Sequence, residues 1–296
     1  MLNKNFKIII IIALGLIFSA NFVSAISSSF ILSTSQVRVG DVFVAELNLA
    51  DLKQKINAMD GLVIFDPTAL EVQDISLGNS IFTLWPRTPD FTSIDGKIMF
   101  TGGVPSGTIG GSIVKIAFLA KKAGQANFYL SDDSILYLHD GKGTKTSAQN
   151  QKVSLTILES DGNVPAQNTW QENLVSDKTT PKNLIIQLGK DPYILDGKYF
   201  ISFFAEDKES GIDHYEVKEG DKDFVSSVSP YILVDQSLKS KIFVKVVDKA
   251  GNEKMVEFKN TKAFYLQFWF ISLLLILVIV YFVGRVKTKK DAKKTN

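Results

Sequence analysis

The stretch GKIMFTGGVPSGTIGGSIVKIAF, residues 96–118, decides how the rest of the chain is read. Six glycines fall inside it: Gly96, Gly102, Gly103, Gly107, Gly110 and Gly111. Such a run either cradles a phosphate ahead of a helix or joins two strands. A phosphate loop needs a lysine and then Ser or Thr after its last glycine. Here Gly107 is followed by Thr108 and Ile109, and Gly111 by Ser112, with no lysine. The G-x-G-x-x-G spacing of dinucleotide sites is missing too. The next segment, IVKIAFLA (113–120), alternates with the period of a strand. The glycines therefore supply backbone freedom between two strands, with Pro105 stiffening the connection.

Working outward, the same alternation recurs on both sides. VFVAELNL (42–49), GLVIFDP (61–67), KIMFTGG (97–103), ANFYLSD (126–132) and KVSLTIL (152–158) are short apolar alternations separated by turn residues. Turn signals about every ten residues predict an all-β sandwich for residues 26–158. Residues 159–183 are polar and carry no strand alternation, which predicts a linker with a reach of roughly 27 Å as a flexible coil. A second β-rich unit, residues 184–260, comes next with KYFISFFAED, IDHYEVKEG, PYILVDQS and KIFVKVVDKAGN. Its size predicts an immunoglobulin-like sandwich, and DKAGNE (248–253) predicts a tight turn between its last two strands.

The two ends have another character. Lys4 and Lys7 precede a short apolar run that ends in Val23-Ser24-Ala25, the pattern of a secretory signal peptide over residues 1–25. Residues 264–284, FYLQFWFISLLLILVIVYFVG, are uncharged and long enough to span a bilayer core of about 30 Å, with aromatic residues at both ends. The tail 285–296 has six basic residues and one acid, which keeps it cytoplasmic and leaves the N-terminal part outside a single-pass cell membrane protein.

Charge and composition exclude several functions. Removing the two signal lysines and the six tail cations from 33 leaves 25 basic residues in 26–263, and removing Asp291 from 31 leaves 30 acids, a net charge of −5. Nucleic acid is thereby excluded as a partner. There are no cysteines, so the exported part holds together by its cores alone and has no thiol chemistry. The two histidines, His139 and His214, fall in different units with no ligand-spaced neighbour, and no Ser-His-Asp arrangement is present. Catalysis finds no support, and no cofactor is required. Ca²⁺ is the one ion with candidate ligands, either Asp132, Asp133 and Asp140 or Glu206, Asp207, Glu209 and Asp213.

The segments VRVGDVFVAELNL (37–49), INAMDGLVIFDPTALEVQDI (56–75), GKIMFTGGVPSG (96–107) and VKIAFLAKKAGQANFYL (114–130) together resemble the cohesin domain, one of the bacterial carbohydrate-binding-like β-sandwiches. The resemblance implies a jelly-roll sandwich acting as the receptor half of a cohesin–dockerin pair in polysaccharide utilisation, while relatives of the fold bind carbohydrate directly. The second unit resembles bacterial immunoglobulin-like or fibronectin-III-like modules through SGIDHYEV, SPYIL and VKVVDKAGNE.

Alternation then picks out side chains. With Val63, Phe65, Ile98 and Phe100 turned inward, Leu62, Ile64 and Met99 turn outward, on the face that the resemblance assigns to dockerin. These three residues are the candidate partner-binding patch. In IFTLWPRTPDF (81–91), Phe82, Trp85 and Phe91 surround two prolines, and this loop is the candidate glycan contact because sugars stack on aromatic faces, the alternative being that at least two of the rings pack in the core. The leading expectation is a membrane-anchored, non-catalytic surface protein. Its first module binds a polysaccharide or a surface or secreted protein, dockerin-like or other, and its second acts as a spacer. The alternative is a structural adhesin or envelope-assembly subunit making only protein contacts.

Overall fold

The computed structural model describes residues 26–50, 53–92 and 95–258, together with Ser272, Leu275, Ile276 and Ile279. The expected signal peptide 1–25, the expected span 264–284 apart from those four helical, exposed residues, and the tail 285–296 lie outside the described residues. Among the described residues no helix is long and apolar enough to cross a membrane. The chain is all-β and divides into two compact units. One comprises residues up to Thr179 with Asp207–Gly211, and the other Thr180–Glu206 with the residues from Ile212 onward.

The described residues of the first unit form thirteen strands: β1 (Ser27–Leu32), β2 (Val37–Arg38), β3 (Val42–Ala50), β4 (Ile56–Phe65), β5 (Leu70–Ser76), β6 (Leu84–Thr92), β7 (Lys97–Thr108), β8 (Gly111–Ala120), β9 (Gly124–Leu130), β10 (Ile135–Leu138), β11 (Lys145–Thr146), β12 (Gln149–Asn150) and β13 (Val153–Leu158). They form a five-stranded sheet, β12-β1-β3-β8-β5, and an eight-stranded sheet, β11-β10-β4-β9-β13-β2 with β7 paired to β4 and β6 to β7. Phenylalanines tie the layers together. Phe43 and Phe118 come from the smaller sheet and Phe65 and Phe128 from the larger, with the Phe65–Phe118 and Phe118–Phe128 ring centres 5.4 and 5.6 Å apart. All four rings are buried, each removing enough apolar surface from water to contribute roughly 1.5–3 kcal/mol.

The glycine-rich stretch is a strand connection. β7 runs to Thr108 and β8 starts at Gly111, and Gly107, Gly110 and Gly111 all have positive φ (66°, 129° and 131°), a region closed to most side chains.

Two sequence expectations are corrected by the fold. IFTLWPRTPDF contributes a strand rather than a loop. β6 tolerates Pro86 and Pro89 because it pairs only with β7, as an edge strand, and its register shifts between Leu84 and Arg87 and again between Arg87 and Asp90. The second correction is the linker 159–183, which contains helix α1 (Thr169–Ser176) packed on the first unit. Asn168 caps α1 by accepting the N–H of Gln171 at 2.8 Å, and Glu172 in the first turn suits the helix dipole. Trp170, 7% exposed, packs with Val42, Val44 and Ala117 on the outer side of β3 and β8, and Leu174 adds to the cluster. The N–H of Val42 donates to the carbonyl of Gln167 at 2.8 Å, and the carboxylate of Asp41 accepts the N–H of Gln167 at 2.8 Å. One indole in a polar stretch carries too little periodicity to announce a helix, yet it supplies the cover that the apolar outer side of β3 requires.

The described residues of the second unit form seven strands: β14 (Lys182–Gly189), β15 (Phe200–Glu206), β16 (Ile212–Glu219), β17 (Val225–Ser227), β18 (Tyr231–Ile232), β19 (Ile242–Asp248) and β20 (Glu253–Phe258). They form antiparallel sheets ordered β14-β15-β18 and β17-β16-β19-β20 around Ile201, Phe203, Val217, Leu233 and Val244. The expected DKAGNE turn is present: Gly251 has φ 86° and the carboxylate of Asp248 accepts the N–H of Asn252 at 2.8 Å. The buried carboxylate of Glu219 accepts the N–H groups of Val234 and Asp235, at 2.7 and 2.9 Å, and the hydroxyl of Tyr231 at 3.1 Å.

Candidate functional site

Helix α1 packs on the outer side of β3 and β8 in the smaller sheet, whereas no described helix packs on the outer side of the larger sheet, the open face. Its register comes from the pairing. Leu62 stands opposite Met99, and Ile64 opposite Lys97, on β4 and β7. Val63, Phe65, Ile98 and Phe100 are buried on the other side, while Leu62, Ile64 and Met99 are half-buried. The three residues picked from alternation therefore share one face.

Three further residues extend that face and escaped the sequence reading. Ile135 lies opposite Asp60 and Tyr137 opposite Ala58 on β10, and Tyr129 lies opposite Ile64 on β9. The signal was the alternation in ILYL and NFYL, but placing it on the same face needs the pairing of β9 and β10 with β4, which is non-local. At the centre, Asp60 accepts the Thr101 hydroxyl at 2.9 Å and the Tyr137 hydroxyl at 2.7 Å. The hydrogen bond to Asp60, reinforced by partial burial, pushes the Tyr137 phenol above its ordinary value. This hydrogen bond ties the Tyr137 hydroxyl to β4.

The candidate glycan contact does not assemble. Phe82 is 2% exposed and belongs to the core, so it presents no ring face to solvent. Trp85 packs edge-on against Phe82 at 5.9 Å and Phe100 at 6.1 Å. The physical reason is Gly102: a Cβ there would lie 2.6 Å from the Phe82 ring and 3.0 Å from the Trp85 ring, so its missing side chain is the space these rings fill. Phe91 alone stays 38% exposed.

Neither acid set expected for Ca²⁺ converges. Asp140 accepts the Thr144 hydroxyl and the N–H of Lys142, and these bonds, the hydroxyl first, hold its carboxyl below the usual range. Asp133 accepts from Ser131, and Asp132 from Asn150. In the second set Asp207 accepts the N–H of Gly211 at 2.7 Å, Glu209 the hydroxyl of Thr179, Glu206 the amide of Asn183, and Asp213 pairs with His214. Asp133, Asp140 and Asp207 close their own turns, as Asp66 does after β4, where the Thr68 hydroxyl chiefly holds its carboxyl below the usual range.

The fold and the face define a class: a two-sheet β module with one side closed by its own helix and the other presenting half-buried apolar side chains. The family is named by its sequence model. The cohesin domain matches residues 28–158, and this segment of the chain is a cohesin domain. No curated protein matches the chain. Similar solved structures include a cohesin module of a family 33 glycoside hydrolase from Clostridium perfringens (16% identity, TM-score 0.38, covering 46% of this chain and 99% of that one). A non-cellulosomal cohesin from the archaeon Archaeoglobus fulgidus (15%, 0.37, 45% and 91%) and a type I cohesin from Pseudobacteroides cellulosolvens (20%, 0.38, 48% and 98%) are also similar. Cohesin domains are non-catalytic protein-interaction modules that bind dockerins, and residues 28–158 are accordingly a binding module rather than a catalytic one.

Proposed function

We propose that the chain is an exported, membrane-anchored receptor whose cohesin domain holds a dockerin-like protein on the open face of its larger sheet. The observation that carries this reading is the Leu62–Met99 pair, two large apolar side chains opposite each other on an outer sheet face. Such positions on a solvated face are ordinarily polar, and contiguous apolar surface marks interaction sites. A protein partner is favoured over a polysaccharide because two of the three rings of the expected glycan contact pack into the core. The second unit, with seven strands in sheets of three and four, serves as an immunoglobulin-like spacer between the receptor and the span at 264–284.

The test uses the full chain in phosphatidylcholine nanodiscs, offered a panel of dockerin-bearing proteins and a panel of polysaccharides. The expected result is capture of a dockerin-bearing protein that is lost in Leu62→Lys with Met99→Lys, while the thermal unfolding of the variant stays close to that of the parent. Capture of a polysaccharide alone, or of a protein whose binding the double variant leaves intact, overturns the reading. Export and anchoring are tested by the mature N-terminus, expected at Ile26, and by recovery of the intact C-terminus in the membrane fraction.

A further inference from the structure

The open face has a charge pattern that the rest of its module lacks. Residues 26–179 contain 12 basic and 16 acidic residues, a net charge of −4. Cations nevertheless border the apolar strip on several sides. Lys97 lies opposite Ile64, Arg87 opposite Thr101 in the row beside Met99, and Lys145 opposite Tyr137. Lys152 stands 5.8 Å from the centre of the Tyr129 ring. All four side chains are exposed, and none has a carboxylate partner among the described residues. In the same pairing rows stand two acids, Asp60, whose oxygens already accept from Thr101 and Tyr137, and Asp90, opposite Met99. With strands about 4.8 Å apart, each cation sits within roughly two strand spacings of the strip. That is about one Debye length at 0.1 M salt, so a docked partner feels them.

We infer that the partner element seated on this face is an apolar strip flanked by carboxylates, an acidic amphipathic segment of a protein. The inference rests on the reading of the face as a protein-binding surface and adds the chemistry of its occupant. The half-buried Leu62, Ile64 and Met99 require an apolar counterpart, which a bare polyanion does not offer. The unpaired Lys97, Arg87, Lys145 and Lys152 require negative charge beside it. Rim charges of this kind act mainly through association rate and salt dependence, and they reject partners of like charge.

The experiment measures binding of three helical peptides to the full chain in phosphatidylcholine nanodiscs, with empty discs subtracted. The peptides share one leucine stripe and differ in flanks of Glu, Gln or Lys. The Glu-flanked peptide is expected to bind about tenfold more tightly than the Gln-flanked one in dilute buffer, and the Lys-flanked one more weakly than either. The difference is expected to close near about 1 M salt, where the Debye length falls to about 3 Å. Lys97→Glu with Arg87→Glu should erase the Glu preference while leaving the Gln-flanked peptide unaffected, and Leu62→Lys should weaken all three. Equal binding of the Glu and Gln peptides overturns the charge inference and leaves the apolar reading standing. Binding of none of them, or binding that survives Leu62→Lys, overturns the face itself. Polyglutamate without leucines binding as tightly as the Glu-flanked peptide makes the face a polyanion site and also overturns the inference.

Discussion

The indole N–H of Trp170 donates to a carboxylate oxygen of Asp74 across 3.0 Å, joining α1 to the edge strand β5 of the smaller sheet. A helix from beyond the last strand of the sandwich thus closes the outer side of β3 and β8. Removing the ring leaves a cavity against Val42, Val44 and Ala117. Trp170→Ala is expected to destabilise the first unit by about 3–5 kcal/mol in chemical denaturation. Trp170→Phe keeps most of the packing, loses the hydrogen bond and is expected to cost about 1–2 kcal/mol. Equal stability of Trp170→Ala and the parent would show that α1 does not contribute to the fold.

Gly61 and Phe100 oppose each other on β4 and β7, and the Phe100 ring covers the glycine so closely that a Cβ there would lie 2.1 Å from its Cζ. Gly61→Ala must displace a buried ring that also touches Trp85, with an expected cost of about 1–3 kcal/mol. Combined with Phe100→Leu, the penalty should fall below the sum of the single changes, since the smaller side chain frees the space. A double-mutant cycle by thermal denaturation reads this coupling.

In the second unit, Glu219 satisfies two backbone N–H groups of the 234–235 segment from a buried position. Glu219→Ala leaves those donors without their acceptor and is expected to destabilise the unit by about 1–3 kcal/mol. Faster amide exchange at Val234 and Asp235 is the direct check. Protection unchanged at both positions would contradict the role.

Asp235 makes stability depend on acid. Hydrogen bonds from the hydroxyls of Ser237 and Ser240, then from their backbone N–H groups, hold its carboxyl far below the usual range. A carboxyl with a lowered folded-state pKa contributes stability that is present above its unfolded value of about 3.9 and is lost as pH falls through the folded value. The second unit is therefore expected to be insensitive to pH from neutrality to about 5 and to weaken below about 4. Asp235→Asn should flatten this acid limb while lowering stability at neutral pH. An acid limb as steep in the variant as in the parent would assign the effect to other carboxyls.

Much of this was legible in the chain itself. Alternation placed Val63 and Phe65 inside and Leu62 and Ile64 outside, and it did the same for Ile98, Met99 and Phe100, because a strand's side-chain period is two wherever one face is buried. The absence of a lysine after the glycines separated a strand connection from a phosphate loop, and the positive φ values at Gly107, Gly110 and Gly111 agree with it. The cohesin landmarks in residues 28–158 were equally readable.

Other features depend on which distant segments meet. Pro86 and Pro89 read as loop residues until β6 is seen to be an edge strand paired only with β7. In the sequence Phe82 and Trp85 fit a sugar contact or core packing alike, and Gly102 beneath them decides for the core. The basic rim joins residues from Arg87 to Lys152, and no local window contains them together. The sequence by itself determined the strand faces, the all-β class and the expectation of export and anchoring, since these rest on periodicity and hydropathy along the chain. The tertiary structure alone decided that Trp170 closes one face and that Ile135, Tyr137 and Tyr129 join Leu62 and Met99 on the other, because cross-strand pairing brings together side chains whose separation in sequence carries no periodic signal.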